Sequence, residues 1–421
     1  MNEAPSKPAG KRANKRASAR SDWSRHVESA TITMPDPEMA LAIARFDALG
    51  NLVPQMLLAQ EIARTRQSEL TLAYDNVVTV ASGFKVCRSE DGKNTLTRRP
   101  CVVFIVRHKW AANRSAQQHV PSHLLTYGSV NGSRELLAVP TDVQCEQAYD
   151  KAMPQGPNGV TVDNGAETGA GALTCMVEFA DGNGNQQRML MSALHVLTIS
   201  FDSDAPSLPA GASVALRNVS PSGPNTPPLA LTSGIGGRFV LGGSNSFDVQ
   251  LADPSPQQST AAQSALGDLR FDEHQPSATS FGHLLQLVSA DFPIEIVVPS
   301  NHDRFAGGLR PHVAAAFSTL IGHGLAIEYK FKAAGQFNLW QVQHQELLRL
   351  QILGSDQTLE GDSGSAVVCW LDNEKCCLLG MHIAGDATQG FSYAIPAWQL
   401  FDRRNYFGTL DGVSGFRPTR A

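Results

Sequence analysis

Residues 360–366 read Glu-Gly-Asp-Ser-Gly-Ser-Ala, and no other stretch restricts the fold of this chain so strongly. Gly361 and Gly364 permit a tight backbone turn that residues carrying a Cβ resist. Such a turn can aim the amide N–H groups of Gly361 and Ser363 at one anionic oxygen. It also presents the Ser363 hydroxyl, a weak nucleophile that needs a neighbouring base. In a chain with 36 glycines the same residues would also serve as a plain turn. The partners available elsewhere in the chain decide between the two.

Two upstream stretches offer partners. Residues 189–197 read Met-Leu-Met-Ser-Ala-Leu-His-Val-Leu, a histidine at the end of an apolar run. Alone, His195 reads as a core histidine bonded to backbone. Residues 245–252 read Asn-Ser-Phe-Asp-Val-Gln-Leu-Ala, and Asp248 alone reads as a turn residue at a strand start. Taken in the order His, Asp, Ser, the three stretches resemble the trypsin-like serine peptidases, across about 158–405. The resemblance implies a mainly β fold, a chymotrypsin-like double antiparallel β-barrel with the triad in the cleft between barrels. It implies His195 as general base, Asp248 as its orienting group and Ser363 as nucleophile. The amides of Gly361 and Ser363 would form the oxyanion hole, and no metal or organic cofactor is needed.

The chain is similar, more narrowly, to intracellular trypsin-like proteins of bacteria and of the plant narrow-leaf type. Residues 171–184, the Asn-Ser-Phe-Asp strand and Gly361–Val368 with Leu379-Gly-Met-His-Ile-Ala-Gly carry that likeness. So does the block from Val77 to Val143, which resembles the small domain preceding the peptidase. Leu194 departs from the Ala or Asn that the family more often has beside the histidine. No Ile-Val-Gly-Gly start is visible near 158, so Asp362 is expected to be a local turn ligand rather than a partner for a cleaved N-terminus.

Bulk properties set the frame. The 421 residues are enough for two or three cores. Hydrophobic residues make up 42% and charged residues 17%, a globular composition. A net charge of −5 argues against a nucleic-acid partner for the whole chain. No apolar run reaches the ~18–20 residues of a membrane span. Residues 1–25 are basic and lack the apolar core of a secretory leader. Val196 stands where secreted relatives carry a cysteine, and the seven cysteines show no metal-knuckle spacing. Together these predict a reducing, cytoplasmic home with unpaired thiols.

The domain reading is a disordered basic tail over 1–35, a small N-terminal α+β domain over 36–147, the peptidase over 148–410 and a tail over 411–421. Helical periodicity marks 36–48 and 51–69. Strand patterns mark Val77–Ala81, Cys101–Val106 and Leu136–Val139. Residues 152–172 read as a linker or entry loop, and 253–267 as the connection between barrels. The long Asp248–Ser363 interval predicts insertions within 254–345. His108, His119 and His123 lie in a polar stretch and read as surface residues.

Specificity is expected from residues just before the nucleophile and on the wall strand. Gln357 stands where Lys- or Arg-preferring relatives have Asp, with Asp356 one residue off. Thr358 and His382 match a Thr and a His that, in glutamyl endopeptidases and picornaviral proteases, bind a Glu or Gln preceding the scissile bond. An imidazole and a hydroxyl suit such a side chain. The partner is therefore a protein or peptide substrate, with an activating partner left open. The rival readings are a latent or inactive peptidase-fold interaction module, an esterase using the same triad, and a dedicated activator cleaving one partner in bacterial defence or signalling.

Overall fold

The computed structural model describes residues 37–419 except 75, 89–93, 108–118, 146–159, 164–167, 198–212, 217–228, 240–244, 255–268, 299–311, 334–335, 355–357, 359–360, 387–389, 407–409 and 411. The expected tail over 1–35 and most of the connection over 253–267 lie outside the described residues.

The chain begins with α1 (Pro37–Asp47), α2 (Leu52–Thr65) and α3 (Gln67–Ala73). The expected second helix is broken at Arg66, which closes α2 and opens α3. Four strands follow: β1 (Val77–Arg88), β2 (Asn94–Val106), β3 (His123–Val130) and β4 (Ser133–Cys145). β1 and β2 pair antiparallel, β3 and β4 form a hairpin, and β4 lies parallel to β2. Side chains alternate between the two faces of this sheet. Val80, Val102, Phe104 and Val139 pack on Phe46, Ala59, Ile62 and Leu70 of the helices. Ala81, Phe84, Cys101, Val103 and Ile105 face the other way and join the main core.

A first group of strands comprises β5 (Val160–Asp163), β6 (Thr168–Gly171), β7 (Cys175–Ala180), β8 (Gln186–Ser192), β9 (Ser213–Leu216), β10 (Leu229–Gly236) and β11 (Gln250–Pro254). Their hydrogen-bonded order is β7-β8-β11-β10-β9-β5-β6. Laid flat, β7 and β6 would stand roughly 29 Å apart at ~4.8 Å per strand. Yet only residues 172–174 separate the end of β6 from the start of β7, a reach of at most about 14 Å. The sheet must therefore curl round on itself as a barrel. The stretch 152–172, read from sequence as a linker, thus contains two barrel strands. β6, Thr-Gly-Ala-Gly, carries no alternating pattern, and β5, Val-Thr-Val-Asp, alternates over only four residues within a Gly-rich stretch.

The second group comprises β12 (Ile294–Val297), β13 (His312–Ile321), β14 (Ala326–Ala333), β15 (Gln336–Gln343), β16 (Leu347–Ile352), β17 (Ala366–Trp370), β18 (Cys376–Asp386) and β19 (Phe391–Pro396). Six of these close in the order β12-β17-β18-β19-β16-β13, with β13 returning to β12, as an antiparallel barrel. β14 and β15 form a separate hairpin inserted between β13 and β16. This is an insertion of the kind expected within 254–345. The fold is mainly β, as the resemblance implied.

Two sequence expectations need correction at the edges. Residues 411–421 are not simply a tail, because β20 (Ser414–Thr419) pairs antiparallel with β7. Phe416 anchors it against Phe179, Phe401 and Tyr406. The N-terminal sheet is also continuous with the second barrel, since β1 pairs with β13 at Ser82↔Leu320 and Gly83↔Thr319. Buried Arg349 of β16 bridges that junction. It donates to Gln144 of β4 and to Thr319 of β13, and lies over the Phe391 ring at 4.6 Å. Among the described residues no helix is long and apolar enough to cross a membrane.

Candidate active site

Strand register delivers the first two residues. β8 and β11 pair antiparallel with Ser192 opposite Gln250. Stepping outward along that ladder brings Asp248 beside the corner at Ala193–His195. Leu194 is fully buried there and pins a one-turn helix, α4 (Leu194–Leu197), that carries His195. The larger side chain at 194 is thus accommodated in the core. Phe247 and Val249, both buried, fix Asp248 from either side.

Asp248 holds His195 twice. Its Oδ2 lies 2.6 Å from His195 Nδ1, and its Oδ1 accepts the His195 backbone N–H at 3.0 Å. The carboxylate is fully buried, while the imidazole keeps 12% of its side-chain surface exposed. Burial alone would push the Asp248 acid upward. The charge and hydrogen bonds of His195, together with the charge of His344, outweigh it and hold Asp248 below its ordinary value. An ionised carboxylate only accepts hydrogen bonds, so the proton of the pair sits on Nδ1 and Nε2 is left as the basic atom.

The loop with Ser363 comes from the second barrel and is stitched to the first. The Ala172 N–H donates to Ser363 O at 2.7 Å. Thr174 Oγ1 donates to Gly364 O at 2.7 Å, and Ser192 Oγ to Ala172 O at 2.6 Å. Gly361 and Gly364 have φ of +90° and +92°, a region that L side chains avoid. A Cβ on Gly171 would lie 2.4 Å from Val196 and 2.8 Å from Ser363 O, so the residue after His195 and the Ser363 loop meet at one point. Two later amides of the loop are occupied: Gly364 N–H donates to His382 O and Ser365 N–H to Asp362 O. The Ser363 hydroxyl donates to Ile383 O at 3.3 Å. A strand, β17, follows this loop, rather than the helix of an esterase-type nucleophile elbow.

Thr358 and His382 converge. A Cβ on Gly385 would stand 2.6 Å from Thr358 Oγ1 and 3.9 Å from His382 Cε1. His382 is buried, with Nδ1 2.7 Å from Ser392 Oγ. Gln357 lies outside the described residues, as does His108. Among the described residues no three His, Cys, Asp or Glu side chains are grouped as metal ligands would be. Cys369 and Cys377 face each other across β17 and β18, yet none of the seven cysteines forms a disulfide. Burial raises the Cys369 and Cys376 thiols to about 12, which leaves them unreactive near neutral pH.

Sequence reading missed two residues. Tyr329 of β14 donates its hydroxyl to Asp248 Oδ2 at 3.0 Å, and the same hydroxyl lies 2.8 Å from His344 Nε2. The Tyr329 ring also packs edge-on against His195, with centroids 5.3 Å apart. Ala-Ile-Glu-Tyr-Lys-Phe reads as any alternating strand, so no local signal marks Tyr329.

No family model matches the chain, and no curated protein matches it. Among solved structures it is similar to the NS6 protease of murine norovirus 1, at 12% identity and a TM-score of 0.22, over 49% of this chain and 80% of that one. A murine norovirus NS6 protease extended into NS7 matches at 11% identity and a TM-score of 0.22, over 49% and 82%. At this identity and TM-score the likeness assigns neither family nor reaction to the chain, and the site rests on its own geometry.

Proposed function

We propose that this protein is a serine endopeptidase working through His195, Asp248 and Ser363. The observation that carries the reading is the double hold of a buried, ionised Asp248 on His195, beside a glycine-flanked serine loop. With Nδ1–H given to Asp248, His195 takes the Ser363 proton on Nε2 as the hydroxyl attacks a peptide carbonyl. The Gly361 and Ser363 amides receive the developing oxyanion. His195 then passes its proton to the leaving amine, and water releases the acyl group by the reverse sequence.

The finer reading is a preference for Glu or Gln before the scissile bond. It is supported by Thr358 Oγ1 and the His382 ring meeting at Gly385, where both can reach one polar side chain. Cysteines that form no disulfides fit a reducing, cytoplasmic setting. A restricted set of protein substrates, as in bacterial defence or signalling, suits the same chemistry.

One observation favours a second reading, a latent peptidase or peptidase-fold interaction module. The Ser363 hydroxyl is engaged with Ile383 O, so attack requires it to turn toward His195. Cleavage of a diverse peptide library by the full chain, lost in Ser363→Ala, is the expected result for the enzyme. No cleavage by either protein would favour the latent form.

A further inference from the structure

The hairpin β14–β15 leaves the second barrel after β13 and returns at β16, and it contributes nothing to barrel closure. Tyr329 and the hairpin base nevertheless reach the first barrel's catalytic corner. Tyr329 is fully enclosed between Phe239, His195 and His344, with ring centroids 5.6, 5.3 and 5.8 Å away. The segment carrying Asp248 is tied to the hairpin base as well, since Ser246 N–H donates to Gln343 O at 2.9 Å.

Hydrogen-bond direction follows from proton counting. Asp248 is ionised and only accepts, so the single Tyr329 proton goes to Oδ2. The Tyr329 oxygen must then accept from His344, which fixes the proton on His344 Nε2. The result is one directed chain: His344 Nε2–H to Tyr329, Tyr329 O–H to Asp248, with His195 Nδ1–H meeting the same Oδ2. Three hydrogen bonds from two residues thus converge on Asp248 and leave it one orientation.

We infer that the β14–β15 hairpin is a positioning element of the active site, in which Tyr329, held by His344, orients Asp248 and through it His195. The inference rests on the peptidase reading, and it gives the inserted hairpin a role that barrel formation does not. Tyr329 touches no reacting atom. Its hydroxyl shares Oδ2 with His195 and so moderates how strongly the carboxylate draws a proton onto the imidazole. Removing it returns negative charge to the Asp248–His195 bond and makes His195 more basic. It also frees Asp248 to rotate.

The test uses the full chain with 15N-labelled histidine, comparing wild type with Tyr329→Phe, His344→Gln and His344→Leu. Phe keeps the ring contacts and removes only the hydroxyl. A Gln amide can still donate to the Tyr329 oxygen, and Leu cannot. The His195 titration midpoint, read by NMR, is expected to rise in Tyr329→Phe and in His344→Leu but to stay near wild type in His344→Gln. Acylation of Ser363 by a fluorophosphonate is expected to slow about tenfold or more in the same two variants, the scale of a lost hydrogen bond to a charged group. An unchanged midpoint and rate in Tyr329→Phe would overturn the inference. So would equal behaviour of His344→Gln and His344→Leu, which also decides the matter should Tyr329→Phe fail to fold. Wild type that resists the probe while the His195 midpoint still moves would overturn the peptidase reading and uphold the positioning role.

Discussion

A side chain on Gly364 would stand 2.1 Å from the carbonyl oxygen of Ala172, so the Ser363 loop and the first barrel meet at backbone distance. The same oxygen accepts from Ser192 Oγ, and Thr174 Oγ1 bonds Gly364 O from the other side. The Thr174–Gly364 bond, the Ala172 N–H to Ser363 O bond and the Gly364–Ala172 approach thus join the two barrels where Ser363 is presented, while Ser192 holds the Ala172 carbonyl from within the first barrel. Gly364→Ala adds a collision with backbone and a strained φ, which predicts a loss of about 2–4 kcal/mol. Urea denaturation of the variant checks this, and stability equal to wild type would show that the two segments are not packed this way.

Asp248→Asn keeps the shape of the buried group and removes its charge. Catalysis, measured as acylation by a fluorophosphonate, should fall by about 10⁴-fold, as expected when the histidine loses its correct tautomer. The stability profile gives a second readout. Asp248 is held below its ordinary value in the fold, so its contribution is complete above about pH 4. It is lost as pH falls through the lowered folded value. The acid limb of stability should therefore be shallower in Asp248→Asn than in wild type, by thermal unfolding at a series of pH values.

The convergence of Thr358 and His382 on Gly385 predicts a double dependence for side-chain preference. His382→Leu and Thr358→Val should each reduce Glu and Gln enrichment in a peptide library by about tenfold or more, the scale of an unpaired polar partner. Ser392→Ala should do so more weakly, because it only releases His382 Nδ1. Equal cleavage profiles for wild type and His382→Leu would remove that residue from the pocket.

Residues 37–145 are joined to the second barrel by the β1–β13 pairing and by a shared core. Phe84 packs edge-on against Phe317, with centroids 5.9 Å apart. Removing residues 1–147 would bare this face, including the surroundings of Arg349, whose partner Gln144 goes with the deletion. Each large side chain so exposed costs about 1.5–3 kcal/mol. The shortened chain should bind hydrophobic dye and lose its cooperative melt. A folded, more active 148–421 would instead favour activation by release of the N-terminal region.

Much of the site was legible because its chemistry is local in sequence. A tight turn needs Gly361 and Gly364, and the apolar run that ends at His195 needs Leu190 on β8 and Leu194 on α4. Tyr329 was not legible, since its partner Asp248 lies on another barrel and nothing near Tyr329 distinguishes it from a packed strand residue. β6 escaped because Thr-Gly-Ala-Gly pairs through its backbone with no apolar alternation, and β5 because Val-Thr-Val-Asp alternates over only four residues amid a Gly-rich stretch. β20 escaped for a related reason: Ser-Gly-Phe-Arg-Pro-Thr has no apolar alternation, and its strand partner β7 and the Phe179 contact of Phe416 lie far upstream.

The central claim is that Ser363 is activated by the His195–Asp248 pair. Intact-mass measurement of the full chain after exposure to a fluorophosphonate tests it most directly. The account predicts one adduct per chain, mapped to the peptide containing Ser363, and none in Ser363→Ala or His195→Ala. An adduct that persists in Ser363→Ala, or a wild-type chain that stays unlabelled, would contradict it.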